Sequence, residues 1–89
     1  MKPGREMIVL VEPDCIACVR AVRTAGILRD KGIVTNLVII NRIDEPERCR
    51  NYGAVIFPAT FIDGRLAFYG EFFVEDVDRL LVQGSFRFG

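Results

Sequence analysis

The apolar run Met7–Val11, together with the Pro13-Asp14-Cys15 segment just after it, constrains the fold most. Five consecutive apolar residues, three of them β-branched, suit a strand whose two faces are both covered. Pro13 stops the run. Asp14 is a good N-cap for a helix that starts at Cys15. Cys18, Ala21, Val22, Ala25 and Leu28 then recur at helical spacing, with Arg20, Arg23 and Lys31 largely off that stripe. Gly32 is placed to end the helix, with Lys31 in its last turn. Val34–Ile40 reads as a second buried strand. Strand, helix and strand in this order form a βαβ unit, which closes right-handed with its strands parallel.

The second half changes character. Asp44 and Glu47 match a capping pattern, with Pro46 tolerated in the first turn of a short helix over about Glu45–Asn51. Gly53 comes after that helix. Phe57–Ile62 is a strand entered through Pro58, and Asp63-Gly64 is a strong two-residue hairpin signal. Arg65–Tyr69 should therefore pair antiparallel with Thr60–Ile62. Val74, Val77, Leu80 and Leu81 mark a last helix that ends near Gly84. The order β-α-β-α-β-β-α implies an α/β protein with a four-stranded mixed sheet and helices on both faces. Residues 1–89 form a single domain, with a core over about 7–83 and a tail over 84–89 that carries Phe86 and Phe88.

Composition narrows the chemistry. An apolar content of 51% supports a folded core. A formal net charge of zero implies neither a nucleic-acid partner nor an anionic membrane. The run Met7–Val11, behind Lys2 and Arg5, is too short for a signal-peptide core or a membrane span. The expectation is a cytoplasmic protein. The chain contains no His, which excludes Ser-His and Cys-His catalysis and any zinc site that needs imidazole. The cysteine count is odd, and two of the three lie three residues apart, so no disulfide framework is implied.

That close pair, Cys15-Ile16-Ala17-Cys18, sits where the first strand gives way to the first helix. Free backbone N–H groups and the helix dipole would stabilise a thiolate on Cys15. Cys-x-x-Cys thiols in this setting have pKa values lowered from about 8.5 to roughly 3.5–7.5. Cys18 lies on the same face, begins the apolar stripe and should be the more buried thiol. Cys15 is thus the expected nucleophile and Cys18 the resolving thiol of a Cys15–Cys18 redox disulfide. Two carboxylates, Glu12 and Asp14, flank the nucleophile and work against a very acidic thiol.

Three matches in chain order resemble the thioredoxin-fold thiol-disulfide oxidoreductases, in a compact form close in size to glutaredoxins. They are Cys15–Cys18 directly after the first strand, Tyr52-Gly53 with Pro58 beyond it, and Ile62-Asp63-Gly64 with Gly70 beyond it. The resemblance implies a cis peptide before Pro58 and a substrate-binding segment Phe57, Pro58 and Ala59, whose backbone pairs with an extended substrate. Phe57 would form a hydrophobic lip. The chain departs from the family at several positions. Glu12 stands where glutaredoxins usually carry a basic residue, and Val9 where thioredoxins carry a buried acid. Gly70 and Asp76 are only weak counterparts of a glutathione site.

The resemblance implies an enzyme of cell redox homeostasis that reduces protein disulfides through a dithiol/disulfide cycle, without a bound cofactor or metal. Its partners would be disulfide-containing proteins and an electron donor, either a thioredoxin-reductase-like protein or glutathione. A glutathione-dependent, glutaredoxin-type reductase and a metal or iron–sulfur scaffold are the alternatives. The scaffold would need ligands beyond Cys15 and Cys18, from Cys49, carboxylates, glutathione or a second chain. Cys49 falls on the second helix, off the active-site face, and reads as a packing or surface thiol. Of Phe72 and Phe73 only one can face the core. The other, with Phe86 and Phe88, would mark a surface for weak self-association of a monomer.

Overall fold

A computed structural model describes residues 5–83. Lys2, Gly84, Phe86 and Phe88, named above for their sequence positions, lie outside the described residues.

The elements are β1 (Arg5–Val11), α1 (Ile16–Asp30), β2 (Val34–Asn41), α2 (Pro46–Arg50), β3 (Ala59–Ile62), β4 (Arg65–Tyr69) and α3 (Val74–Gln83). The sheet order is β2-β1-β3-β4. β1 runs parallel to β2, and β3 runs antiparallel to both β1 and β4. The four-stranded mixed α/β sheet expected from the sequence is therefore the one formed.

β1 is the centre of the sheet, and its alternation divides the core in two. Met7, Val9 and Val11 point into a cluster with Cys18, Ala21, Ala25 and Leu28 of α1, Phe72, and Val77 of α3. Ile8 and Leu10 point the other way, against Ile40, Cys49 of α2, Ala59 and Phe61. Helices thus cover both faces, which is why β1 has no polar face to show in its sequence. Thr24 joins the apolar stripe of α1, because its hydroxyl donates to the Phe72 carbonyl at 3.1 Å. Phe68 and Phe72 stack with ring centroids 4.8 Å apart. Phe72 is buried and Phe73 is 56% exposed, so only the first of the pair builds the core.

The β3–β4 turn has positive φ at both Asp63 and Gly64, as a two-residue turn that matches the strand twist requires. Asp63 also ties the hairpin to β1. Its Oδ1 accepts from the Glu6 N–H at 3.0 Å, and its Oδ2 pairs with Arg5 at 2.6 Å.

Four local expectations need correction. β2, read as a second buried strand, is an edge strand in which only Val34 and Ile40 are buried. The N-cap of α1 is Cys15 rather than Asp14, and the helix begins at Ile16. Asp14 instead takes a left-handed φ of 56°, which a short polar side chain tolerates. The Asp44/Glu47 capping box does not form. Pro46 opens α2, which makes Glu45 the N-cap, and that residue makes no side-chain cap bond. Asn41 supplies the local turn by accepting the Ile43 N–H at 2.8 Å. The third strand begins at Ala59 and not at Phe57, since Pro58 has no N–H to give the ladder.

Candidate active site

Cys15 and Cys18 are joined as a disulfide across the first turn of α1, with Cα atoms 5.2 Å apart. At the N-cap, where a serine or aspartate oxygen would usually sit, Cys15 presents sulfur. Its Sγ accepts a hydrogen bond from the Cys18 backbone N–H at 3.1 Å. Cys18 is 3% exposed and Cys15 is half-buried, in the order the sequence suggested. Ile16 and Val19 flank the pair at 68% and 60% exposure, so the disulfide opens to solvent through an apolar rim.

The second wall comes from the segment that leads into β3. The Phe57–Pro58 peptide is cis. The register pairs Leu10 with Ala59, so Pro58 enters the sheet near the end of β1 from which the chain leads to Cys15. Gly70, with φ 85°, donates its N–H to the Pro58 carbonyl at 2.8 Å and fixes the segment from the β4 side. Phe57 is half-buried and packs against both core clusters, while Pro58 and Ala59 are buried. Ala59 is fully buried, with its side chain in the α2-face cluster and strands paired on both sides, so it offers no surface to a substrate, contrary to the sequence-based expectation.

Electrostatics near the pair differ from the sequence-based expectation in one respect. Glu12 is engaged: Arg42 Nη1 donates to its Oε1 at 2.9 Å. The same guanidinium lies 5.5 Å from the Phe57 ring centroid. Its backbone N–H donates to the Val11 carbonyl at 2.9 Å. Arg42 therefore links the end of β1, the residue before the cis-proline and its own loop. Sequence patterns alone do not single it out. The one available signal is a cation directly after the second parallel strand, where α/β sheets bind ligands.

Cys49 lies on the opposite side of the sheet from Cys18, in the α2-face cluster, 4% exposed. Burial, and secondarily the Glu45 carboxylate, push its thiol above the ordinary 9.0. Cys49 and the Cys15–Cys18 pair cannot share one metal ion within a chain. Among the described residues, no group of three or more His, Cys, Asp or Glu is arranged to hold a metal ion. No described helix is long and apolar enough to cross a membrane. Asp76, weakly similar to a glutathione-site acid, is engaged at the start of α3, where its Oδ2 accepts the Phe73 N–H at 2.8 Å.

No protein-family model matches the chain, and a search of curated proteins finds no match. Solved structures do match in fold. A protein disulfide oxidoreductase from Aeropyrum pernix superposes with a TM-score of 0.69 at 20% identity, over 99% of this chain and 40% of that one. A domain of alkylhydroperoxide reductase AhpF from Enterococcus faecalis gives 0.64 at 21% identity, over 89% of this chain and 38% of that one. A structure described as a malarial protein gives 0.72 at 13% identity, covering 91% of this chain and 97% of the other. The chain thus spans less than half the length of the first two. With the β-α-β-α-β-β-α order and the sheet order above, these likenesses define the class: the chain has the thioredoxin fold.

Proposed function

We propose that this protein is a thiol-disulfide oxidoreductase that reduces protein disulfides. The observation that carries this reading is the Cys15–Cys18 disulfide at the start of α1, with the Cys18 N–H aimed at Cys15 Sγ. In the dithiol state the same N–H would meet a Cys15 thiolate as a charge-assisted hydrogen bond, reinforced by the helix dipole.

The catalytic cycle has two exchange steps. The Cys15 thiolate attacks one sulfur of a substrate disulfide, forming a mixed disulfide and expelling the other substrate sulfur as a thiolate, which takes up a proton. Cys18 loses its proton and attacks Cys15 Sγ. The Cys15–substrate bond breaks, the second substrate thiolate leaves, and the Cys15–Cys18 disulfide closes. Two electrons have passed to the substrate. An external dithiol or glutathione must return them before the next turnover. Phe57 forms the accessible wall against which the substrate would lie, and the buried Pro58 and Ala59 hold Phe57 in place from behind. Such a reductant fits a reducing compartment such as the cytoplasm.

The test is to reduce the protein, remove the reductant and mix it with a small disulfide protein. Mass spectrometry should find the Cys15–Cys18 disulfide in one and new thiols in the other, in equal amounts. A Cys15→Ser variant should leave the substrate oxidised. Wild-type protein that also leaves it oxidised contradicts the reading.

A further inference from the structure

A cleft of about 580 Å³ opens on the α2 side of the sheet, and Phe57 connects it to the redox site. Apolar groups of Ile43, Ala54, Val55 and Phe57 line it, and its charged lining residues are Arg42 and Arg50, with no carboxylate among the described lining. Ile43 and Val55 are 61% and 81% exposed, so this apolar wall faces solvent rather than core. Phe57 is shared: it lines the cleft and precedes the cis-proline of the redox site. An extended segment whose cysteine reaches Cys15 past Phe57 would therefore continue into the cleft.

The two cations are not equivalent. Arg50 pairs at 3.4 Å with Glu47 of its own short helix, where the carboxylate is 88% exposed. Arg42 is anchored at both ends, by its main chain to Val11 and by its guanidinium to Glu12 and Phe57. Its side chain is still 49% exposed. A guanidinium carries five donors in a rigid fork, and Glu12 engages one of its nitrogens. Arg42 is thus a pre-positioned cation at the mouth of an apolar cleft, with donors to spare.

We propose that Arg42 determines substrate specificity by reading a carboxylate, while Ile43, Val55 and Phe57 receive an apolar side chain beside it. The preferred substrate is a protein disulfide in an extended segment that carries an acidic and an apolar residue next to the attacked cysteine. This rests on the oxidoreductase reading and sharpens it. Glutathione offers carboxylates but no apolar neighbour, and so fills only half of the site.

The experiment compares kcat/KM for two disulfide-linked peptides that differ only in Asp-Leu against Lys-Leu flanks, with glutathione disulfide as a third substrate. The wild type should favour the acidic peptide by about fivefold at low salt, the scale of one partly exposed ion pair. Arg42→Gln should remove the preference and Arg42→Glu should invert it. An Asp-Ser peptide should be slower than Asp-Leu with the wild type. Dithiothreitol equilibration of each variant checks that its cysteine pair still cycles. Equal rates for both peptides with the wild type, an acidic-to-basic ratio unchanged in the variants, or an effect confined to glutathione disulfide overturns the proposal. Those results leave the oxidoreductase reading standing. If that reading itself is wrong, the wild type turns over none of the substrates.

Discussion

The Cys18 backbone N–H donates to Cys15 Sγ at 3.1 Å, making sulfur the capping atom of α1. This contact and the helix dipole favour the thiolate of the reduced form, and they act within the first turn. Glu12 would oppose them, but Arg42 holds its carboxylate. The expectation is therefore a Cys15 thiol more acidic than a free one yet short of the extreme. In a Cys18→Ser variant, iodoacetamide rates against pH should give a midpoint above about 5 and below about 8.5. Adding Arg42→Gln should raise it, because Glu12 loses its counter-ion. A midpoint below about 5 would contradict this electrostatic balance.

Burial distinguishes the two sulfurs, and the proposed cycle assigns them different roles. Cys18 is 3% exposed, whereas Cys15 lies half-open beneath Ile16 and Val19. Removing the resolving thiol should leave the first attack intact and block the second. Cys18→Ser should therefore accumulate a mixed disulfide with substrate, seen as a covalent adduct that dithiothreitol releases. Cys15→Ser should form none. An adduct on Cys18 in the latter variant would reverse the assignment.

Cys49 should be inert and should mark an alkaline limit of stability. Burial raises its folded pKa above that of an exposed thiol. The native state thus keeps a proton that the unfolded state releases. Stability from this group is complete below about pH 9 and is lost as pH rises through the higher folded value. In the oxidised protein, where Cys15 and Cys18 do not titrate, urea midpoints should fall more steeply above about pH 9 for wild type than for Cys49→Ala. Parallel curves would show that Cys49 does not contribute. At neutral pH the native reduced protein should take up iodoacetamide at Cys15 well before Cys49.

Thr60 offers a stability test away from the chemistry. It is fully buried between Val9 on β1 and Phe68 on β4, and its hydroxyl has no hydrogen-bond partner among the described residues. A buried, unpaired hydroxyl costs about 1–3 kcal/mol. Thr60→Val keeps the shape and the β-branching, so it should stabilise the domain by about 1 kcal/mol and raise the thermal midpoint by a few degrees. Destabilisation would mean the hydroxyl is satisfied in solution.

The parts of the fold that are legible in the sequence are those governed by local spacing. Met7–Val11 reads as a doubly covered strand because β1 does sit between two helical layers. Asp63-Gly64 reads as a hairpin because the turn needs positive φ at both residues. The misplaced cap shows the limit of propensity. Asp14 and Cys15 are adjacent acceptors, aspartate is the commoner cap, and only the backbone path decides for sulfur. Thr24 looks like a polar interruption until its partner, the Phe72 carbonyl, is in place. Arg42 is the largest omission. Its contacts to Glu12 and Phe57 join segments that no helical or strand period connects, so they become visible only once β1 and β2 lie side by side. For the same reason Glu12 looks like an unanswered negative charge next to the nucleophile.

The most direct test of the redox assignment is the equilibrium of the Cys15–Cys18 pair in dithiothreitol and glutathione buffers, monitored by mass or thiol labelling. A protein-disulfide reductant should show one reversible two-electron transition, with a potential between about −270 and −200 mV. A pair that does not cycle between dithiol and disulfide, or one poised near −120 mV as an oxidant, would contradict it.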